Sequence, residues 1–169
     1  MRKGFTLIEL LISISIVAIM TTMGLFAFTG YNAQKQIKMS AQQLATKFNL
    51  AKTMAFTGQK VDEPVPAGFG VSVPATNASK YLLYADVNND CLYGAGDQIV
   101  EEIVLANSIY ITPIAGVCYK TQTSSGKICH SSGVCTGNKR FYLKSKSTDL
   151  IYYVSVNLDS GLVASGELE

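Results

Sequence analysis

The sequence has little charge, a single histidine and no tryptophan. Charged residues make up 15% of the 169 residues and apolar residues 48%, whereas soluble proteins average about 25% charged residues. Disorder requires low hydrophobicity and high charge, so this composition predicts a folded chain. The net charge of +2 comes without a dense basic stretch, so nucleic-acid binding is not indicated. His130 has no Ser/His/Asp or paired-carboxylate pattern around it, and the sequence predicts no enzyme.

The apolar residues are concentrated near the N-terminus. Residues 5–28 contain one charged residue, Glu9. As a helix this run is roughly 36 Å long, which is enough to cross a membrane core of ~30 Å. Arg2 and Lys3 precede the run, and positive charges stay on the cytoplasmic side. The sequence therefore predicts a single-pass precursor in the inner (cytoplasmic) membrane, with its N-terminus in the cytoplasm and the chain after about Tyr31 exported.

Three interpretations compete for this segment. A cleaved signal peptide has a shorter apolar core and a small-residue cleavage site, and the run has neither feature. A plain signal anchor leaves Glu9 unexplained, because a carboxylate within the membrane is costly unless it is paired or neutralised. The third interpretation accounts for both the length and the carboxylate.

The first eleven residues, MRKGFTLIELL, resemble the N-terminal signal of type IV prepilins. In that family a short basic leader ends in Gly and is followed by Phe and, in the fifth position after the cut, Glu. The resemblance implies cleavage after Gly4, N-methylation of Phe5 as the new N-terminus, and a role for Glu9 in assembly. The cut creates a positive amine at Phe5, and Glu9 of a neighbouring subunit can neutralise it.

The same resemblance implies the organisation of this half and its partners. Residues 1–4 are the cleaved leader, and residues 5–30 are the transmembrane or filament-core helix. The implied partners are other pilin or pseudopilin subunits in a homo- or hetero-filament, a prepilin peptidase, an assembly platform protein with its ATPase, and membrane lipid before assembly.

The helical pattern continues beyond the apolar run. Residues 31–56 are predicted to be the amphipathic half of the same helix, and Gly58 is the predicted C-cap. The apolar residues recur at spacings of three and four, and this predicted buried stripe consists of Ile37, Ala41, Leu44, Phe48, Ala51 and Ala55.

After Gly58 the apolar pattern changes to a period of two, which indicates strands. Residues 57–169 are predicted to form a β-rich globular head. The fold class is α+β: a long helix packed on an antiparallel β-sheet or a small β-sandwich, as the pilin resemblance also implies. The predicted strands are 68–73, 80–85, 99–105, 108–113, 140–143 and 150–158.

A narrower resemblance covers the head. Residues 50–61, residues 84–90 followed by Gly96-Asp97, and residues 152–163 resemble segments of H-type minor pseudopilins of type II secretion and of the related fimbrial T pilins. No proline precedes Pro64, although many major pilins have a helix-kinking proline near the position of Phe26. This departure favours a pseudopilin or minor pilin.

All four cysteines lie in the exported part. An even count in an oxidising compartment predicts two disulfides, for which three connectivities exist. The favoured pairs are Cys129–Cys135, closing a polar loop, and Cys91–Cys118, joining two turns. Zinc coordination by Cys129, His130 and Cys135 is the alternative, although adjacent Cys and His are poorly spaced for it.

An acidic turn lies between two predicted strands. Its oxygen donors occupy the spacing of a calcium loop, with ligands at Asp86, Asn88, Asp90, the Leu92 carbonyl and Asp97. Cys91 stands where such a loop needs glycine, and the flanking strands do not resemble an EF-hand. The alternative is an Asx-rich β-turn held by side-chain-to-backbone hydrogen bonds. A bound Ca²⁺ is the one cofactor that the sequence suggests.

The function predicted from the resemblance is structural. The chain is expected to be a minor pilin or pseudopilin in a periplasmic or extracellular filament. That filament would be a type IV pilus or a type II secretion pseudopilus acting in protein secretion, pilus initiation or DNA uptake. One alternative is the major subunit of a type IV pilus. A second is a signal-anchored exported binding protein with a calcium-supported head.

Overall fold

The structure is a computed structural model. It describes residues 6–61, 65–106, 108–121, 128–130, 135–146 and 149–168, with the backbone alone at 23–30 and 130. Within these ranges the chain forms one helix and nine strands. The helix α1 spans Leu7–Thr57. The strands are β1 (Gly68–Val73), β2 (Lys80–Asp86), β3 (Gln98–Val104), β4 (Ile109–Thr112), β5 (Ala115–Lys120), β6 (Ile128–His130), β7 (Asn138–Ser145), β8 (Ile151–Asn157) and β9 (Val163–Leu168).

The strands form two antiparallel sheets. One has five strands in the order β3-β2-β1-β5-β6, and the other has four in the order β4-β7-β8-β9. A single bridge between Ala78 and Ile111 lies outside the named strand pairs. The long helix packs on these sheets, and the predicted α+β class is confirmed.

The chain divides into two compact units, Met1–Lys35 and Gln36–Glu169, and residues of α1 belong to both. In the first unit the large apolar side chains described are all exposed, from 50% at Ile16 to 82% at Leu7. Among the described residues, no helix meets the length and apolarity required to cross a membrane. The transmembrane assignment of residues 5–30 stays a prediction.

The second unit has one main apolar core, which the helix and both sheets share. The predicted stripe of α1 is confirmed, since all six of its side chains are at most 1% exposed. The Phe48 ring packs on Phe141 of β7 with 5.1 Å between ring centroids. Val71 of β1 and Val154 of β8 belong to the same buried cluster. The amphipathic half of the helix is therefore the support on which both sheets assemble.

The C-terminal end of α1 has the geometry predicted for Gly58. Its φ is +63°, in the left-handed region that glycine adopts without strain. The Gly58 amide donates to the carbonyl of Ala55 and the Gln59 amide to that of Met54. This pair of bonds is the Schellman motif, and it satisfies carbonyls that the end of a helix leaves free.

The five-stranded sheet is covered on both faces, which the alternation of β2 does not predict. Leu82, Tyr84 and Asp86 point away from the main core, yet each is at most 4% exposed. The loop 87–97 covers Tyr84 and Asp86. Tyr84 packs on the Tyr93 ring, with 5.6 Å between centroids, and its hydroxyl donates to the Cys91 carbonyl at 3.2 Å. We call this side the outer face of the five-stranded sheet.

Candidate functional site

Glu9 lies in the first turn of α1, where it takes part in a helix cap. The Glu9 amide donates to Thr6 Oγ1, and Thr6 Oγ1 donates to Glu9 Oε2, both at 3.4 Å. A Thr followed three residues later by Glu is the sequence signature of a capping box, so Thr6 and Glu9 carry a local signal for the start of the helix. Gly4 and Phe5, the predicted processing residues, lie outside the described residues.

The polar side chains near Glu9 are satisfied within the helix. Ser13 Oγ donates to the Glu9 carbonyl at 2.8 Å, and Ser15 Oγ to the Leu11 carbonyl at 2.9 Å. Thr21 Oγ1 likewise donates to the Val17 carbonyl at 2.7 Å. Such back-bonding hides hydroxyl groups from an apolar environment. Glu9 is the one charged side chain on this exposed apolar stretch of described residues 7–22.

The acidic turn after β2 is built around the buried carboxylate of Asp86. One oxygen, Oδ1, accepts the Asn89 amide at 2.8 Å. The other, Oδ2, accepts the Cys91 amide at 3.0 Å and the Cys118 thiol at 3.4 Å. Asn89 and Cys91 have φ of 67° and 60°, so the chain curls tightly around this carboxylate. Asp86 therefore organises the turn through backbone N–H groups.

The other predicted calcium ligands bind backbone in the same way. Asp97 accepts the amides of Val87 at 3.0 Å and Gly94 at 2.9 Å, one on each oxygen. Asp90 accepts the Leu92 amide at 2.7 Å, and Asn88 accepts the Asp90 amide at 3.1 Å. Each of these side chains thus caps a turn of the loop.

A cation already contacts this loop from β5. The Lys120 ammonium donates to the Asn89 carbonyl at 3.0 Å and to Asn89 Oδ1 at 2.8 Å. Calcium requires six to eight oxygen ligands directed at one point, whereas these carboxylates are directed at amides. The geometry favours the Asx-rich turn. Calcium binding at Asp86, Asn88, Asp90, Leu92 and Asp97, which the sequence suggested, stays an untested prediction.

Titration of the full chain with Ca²⁺ tests the turn directly. We expect no binding heat at millimolar Ca²⁺, because backbone amides already occupy the carboxylate oxygens. Isothermal calorimetry measures it, with Mg²⁺ as the matched titrant. A Ca²⁺-specific heat that disappears in Asp97→Ala would contradict the Asx-turn interpretation.

The four cysteines converge on the outer face of the five-stranded sheet. Cys129 and Cys135 are bonded, with an S–S distance of 2.10 Å, as the favoured pairing predicted. Their sulfurs are consequently not available as thiolate ligands for zinc, and the His130 side chain lies outside the described part of the chain. Cys91 and Cys118 are buried free thiols. The predicted second bond is therefore not made in this structure, where the two sulfurs lie within 4.8 Å of each other, not at the ~2 Å of a disulfide.

Sheet register explains why the sulfurs meet. Gly70 of β1 pairs with Tyr84 on one side and Cys118 on the other, and Cys118 pairs with Cys129 of β6. Directly opposed residues share a face, so these four positions form one row. A Cβ added at Gly70 would lie 2.7 Å from the Tyr84 ring, and one at Gly68 would lie 3.0 Å from Cys118 Sγ. The two glycines therefore provide the space for this second small core.

Burial in this small core keeps the Cys118 thiol and the Tyr84 hydroxyl protonated. The pKa of Cys118 is raised well above its ordinary value by its hydrogen bond with Cys91, by burial and by the nearby Asp86. Burial chiefly raises the pKa of Tyr84 as well. Reactive cysteines have lowered pKa values, so the Cys118 thiol is not a nucleophile toward solutes.

Comparison with known proteins identifies the N-terminal segment. Residues 1–25 match the family model of the prokaryotic N-terminal methylation motif. No curated protein and no solved structure matches the chain, so the resemblance of the head to H-type pseudopilins and fimbrial T pilins stays a prediction. The matched segment includes Gly4, Phe5 and Glu9. The chain therefore carries the N-terminal signal of type IV pilins and pseudopilins.

Proposed function

We propose that the chain is a minor pilin or pseudopilin that is processed at Gly4 and assembled into a type IV pilus or a type II secretion pseudopilus. The methylation motif supports a type IV pilin-like or pseudopilin subunit, and it implies an inner-membrane-anchored precursor that is processed by a prepilin peptidase and assembles with other pilins. The choice of a minor subunit rests on the absence of a helix-kinking proline and on the resemblance of the head.

The observation that carries the proposal is the apolar surface of the first unit. Ten large apolar side chains between Leu7 and Met20 are at least half exposed. Soluble monomers rarely leave such a continuous apolar surface uncovered. Lipid would cover it in the precursor and the helices of neighbouring subunits would cover it in a filament. The back-bonded Ser and Thr hydroxyls suit both environments.

Glu9 would act as the assembly residue in this arrangement. Within a helical bundle its carboxylate is costly unless a cation faces it, and the methylated amine of Phe5 on a neighbouring subunit would be that cation. Because an unpaired charge is costly, neighbouring subunits would pack with the axial stagger that pairs Glu9 with the Phe5 amine. Among the described residues, the Glu9 carboxylate accepts one long hydrogen bond, from Thr6 Oγ1 at 3.4 Å.

Replacing Glu9 with alanine tests this role. Breaking a buried charge pair costs about 3–5 kcal/mol, so incorporation should fall by about 100-fold or more. The measurement is the amount of chain recovered in sheared filaments relative to the membrane fraction. Glu9→Gln keeps the shape and removes the charge, and it should fail to the same extent.

The matched control is Glu102→Ala. Glu102 pairs with Lys80 at 2.9 Å, and both side chains are close to half exposed, so the ion pair contributes little to stability. Mass spectrometry should find methylated Phe5 at the N-terminus of every variant, which separates assembly from processing. Normal recovery of Glu9→Ala in filaments would contradict the proposed pairing.

Two alternatives remain, and the same material distinguishes them. A major pilin would be the most abundant chain in the sheared filaments, whereas a minor pilin or pseudopilin would be a small fraction of them. A signal-anchored binding protein would stay in the membrane fraction whether or not Glu9 is replaced.

A further inference from the structure

We propose that Cys91 and Cys118 are oxidised to a second disulfide, which fastens the loop 87–97 to strand β5 on the outer face of the five-stranded sheet. The inference rests on the proposed function only in placing the head in an exported compartment. Disulfides form and persist in such compartments.

The two thiols are already held together. Their sulfurs and an oxygen of Asp86 lie within 4.8 Å of one another, and the Cys118 thiol donates to Asp86 Oδ2 at 3.4 Å. Both residues are at most 2% exposed. The two sulfurs are therefore neighbours in a buried cluster, where a local rearrangement of the cysteine side chains and the loop 87–97 would bring them into contact.

Asp86 contacts both residues that the bond would join. Its Oδ2 accepts the Cys91 amide and the Cys118 thiol together. The Lys120 ammonium, two residues after Cys118, holds Asn89, two residues before Cys91. The loop is thus already attached to β5 next to the cysteine pair, which lowers the entropic cost of closing the bond.

A metal ion is a weaker occupant of the same cluster. Asp86, Cys91 and Cys118 are the three candidate ligands among the described residues, whereas closed structural zinc sites have four. Both Asp86 oxygens already accept backbone amides. Two thiolates and a carboxylate around one divalent ion would also leave a net negative charge in a buried site, which is costly.

The bond forms by exchange with a disulfide-carrying oxidant, for which oxidised glutathione serves as the probe. The Cys91 sulfur, on the loop, attacks one glutathione sulfur as a thiolate and releases the first glutathione thiolate. The Cys118 sulfur then attacks Cys91 and releases the second. Two electrons pass from the cysteine pair to glutathione, and the two thiol protons end on the released glutathiones.

The experiment is a cysteine count on the full chain in detergent. The chain is reduced, incubated with oxidised glutathione, denatured and alkylated, and the peptides are then mapped by mass spectrometry. In the oxidised sample we expect no alkylated cysteine and a linked peptide pair containing Cys91 and Cys118. In a sample reduced before alkylation we expect four alkylated cysteines. Alkylation of Cys91 and Cys118 beside an intact Cys129–Cys135 bond would overturn the proposal.

Two cysteine variants and a sample from cells test the remaining outcomes. Cys91→Ala should leave one alkylated thiol, at Cys118, whereas Cys129→Ala should leave one at Cys135. A Cys118–Cys129 link in the wild type, or zinc bound to the reduced chain that prevents oxidation, would also overturn the proposal. Chain taken from exporting cells should give the same map. Free thiols at Cys91 and Cys118 in that sample would refute oxidation after export. This result does not depend on how much of the Glu9 variants is recovered in filaments.

Discussion

Replacing Phe48 with alanine is expected to lower the free energy of unfolding of the unit Gln36–Glu169 by about 3–5 kcal/mol. Phe48 is fully buried, and its ring packs on Phe141. It lies where α1 meets the four-stranded sheet, so the cavity would open between two elements that cannot easily collapse onto each other. Because the chain has no tryptophan, unfolding of the full chain in denaturant is best followed by circular dichroism.

Phe56→Ala on the same helix is the matched control for the cavity. Phe56 is 40% exposed, so its removal leaves no enclosed void and should cost less than about 1 kcal/mol. Because alanine favours a helix more than phenylalanine does, equal losses in the two variants would show that the loss does not come from an enclosed cavity at Phe48.

Replacing Asp86 with alanine should lower the free energy of unfolding by about 2–4 kcal/mol. The substitution leaves the buried amide of Cys91 and the amide of Asn89 without their acceptor, and each unsatisfied group costs about 1–3 kcal/mol. It also frees the loop 87–97, so proteolysis should begin there. Denaturant unfolding of the full chain and limited proteolysis measure the two effects.

Asp90→Ala is the control within the same turn. Asp90 is exposed, and it accepts the Leu92 amide where water can replace it. We expect the free energy of unfolding to change by less than about 1 kcal/mol, and we expect no new cleavage in the loop. A loss as large as that of Asp86→Ala would mean that turn formation as a whole, and not the buried carboxylate, holds the loop.

Local patterns were sufficient to predict a large part of this fold. The apolar spacing of residues 37–55 identified the buried face of α1, and a glycine after the last apolar turn identified its end. Strand β1 was predicted with its observed bounds, because Phe69, Val71 and Val73 alternate with Gly and Ser. Each of these signals is contained within one element.

The parts that were missed depend on pairing between distant segments. Strand β5 contains Gly116 and Cys118, which weakened its alternation, and β6 is only three residues long. Strand β5 forms because it pairs with β1, and β6 forms because it pairs with β5. The proximity of Cys91 and Cys118 was predicted, but the space that Gly68 and Gly70 leave beside Cys118 depends on sheet register and was not.

If the head is exported as proposed, the α1 part of the head leaves the membrane first. The buried face of α1 then emerges long before its cover, since Phe141 follows Phe48 by more than half of the chain length. Contacts this distant in sequence form slowly. During that interval the apolar stripe of α1 is open to any chaperone or neighbouring chain, so the newly exported subunit is most vulnerable to aggregation before β7 has crossed.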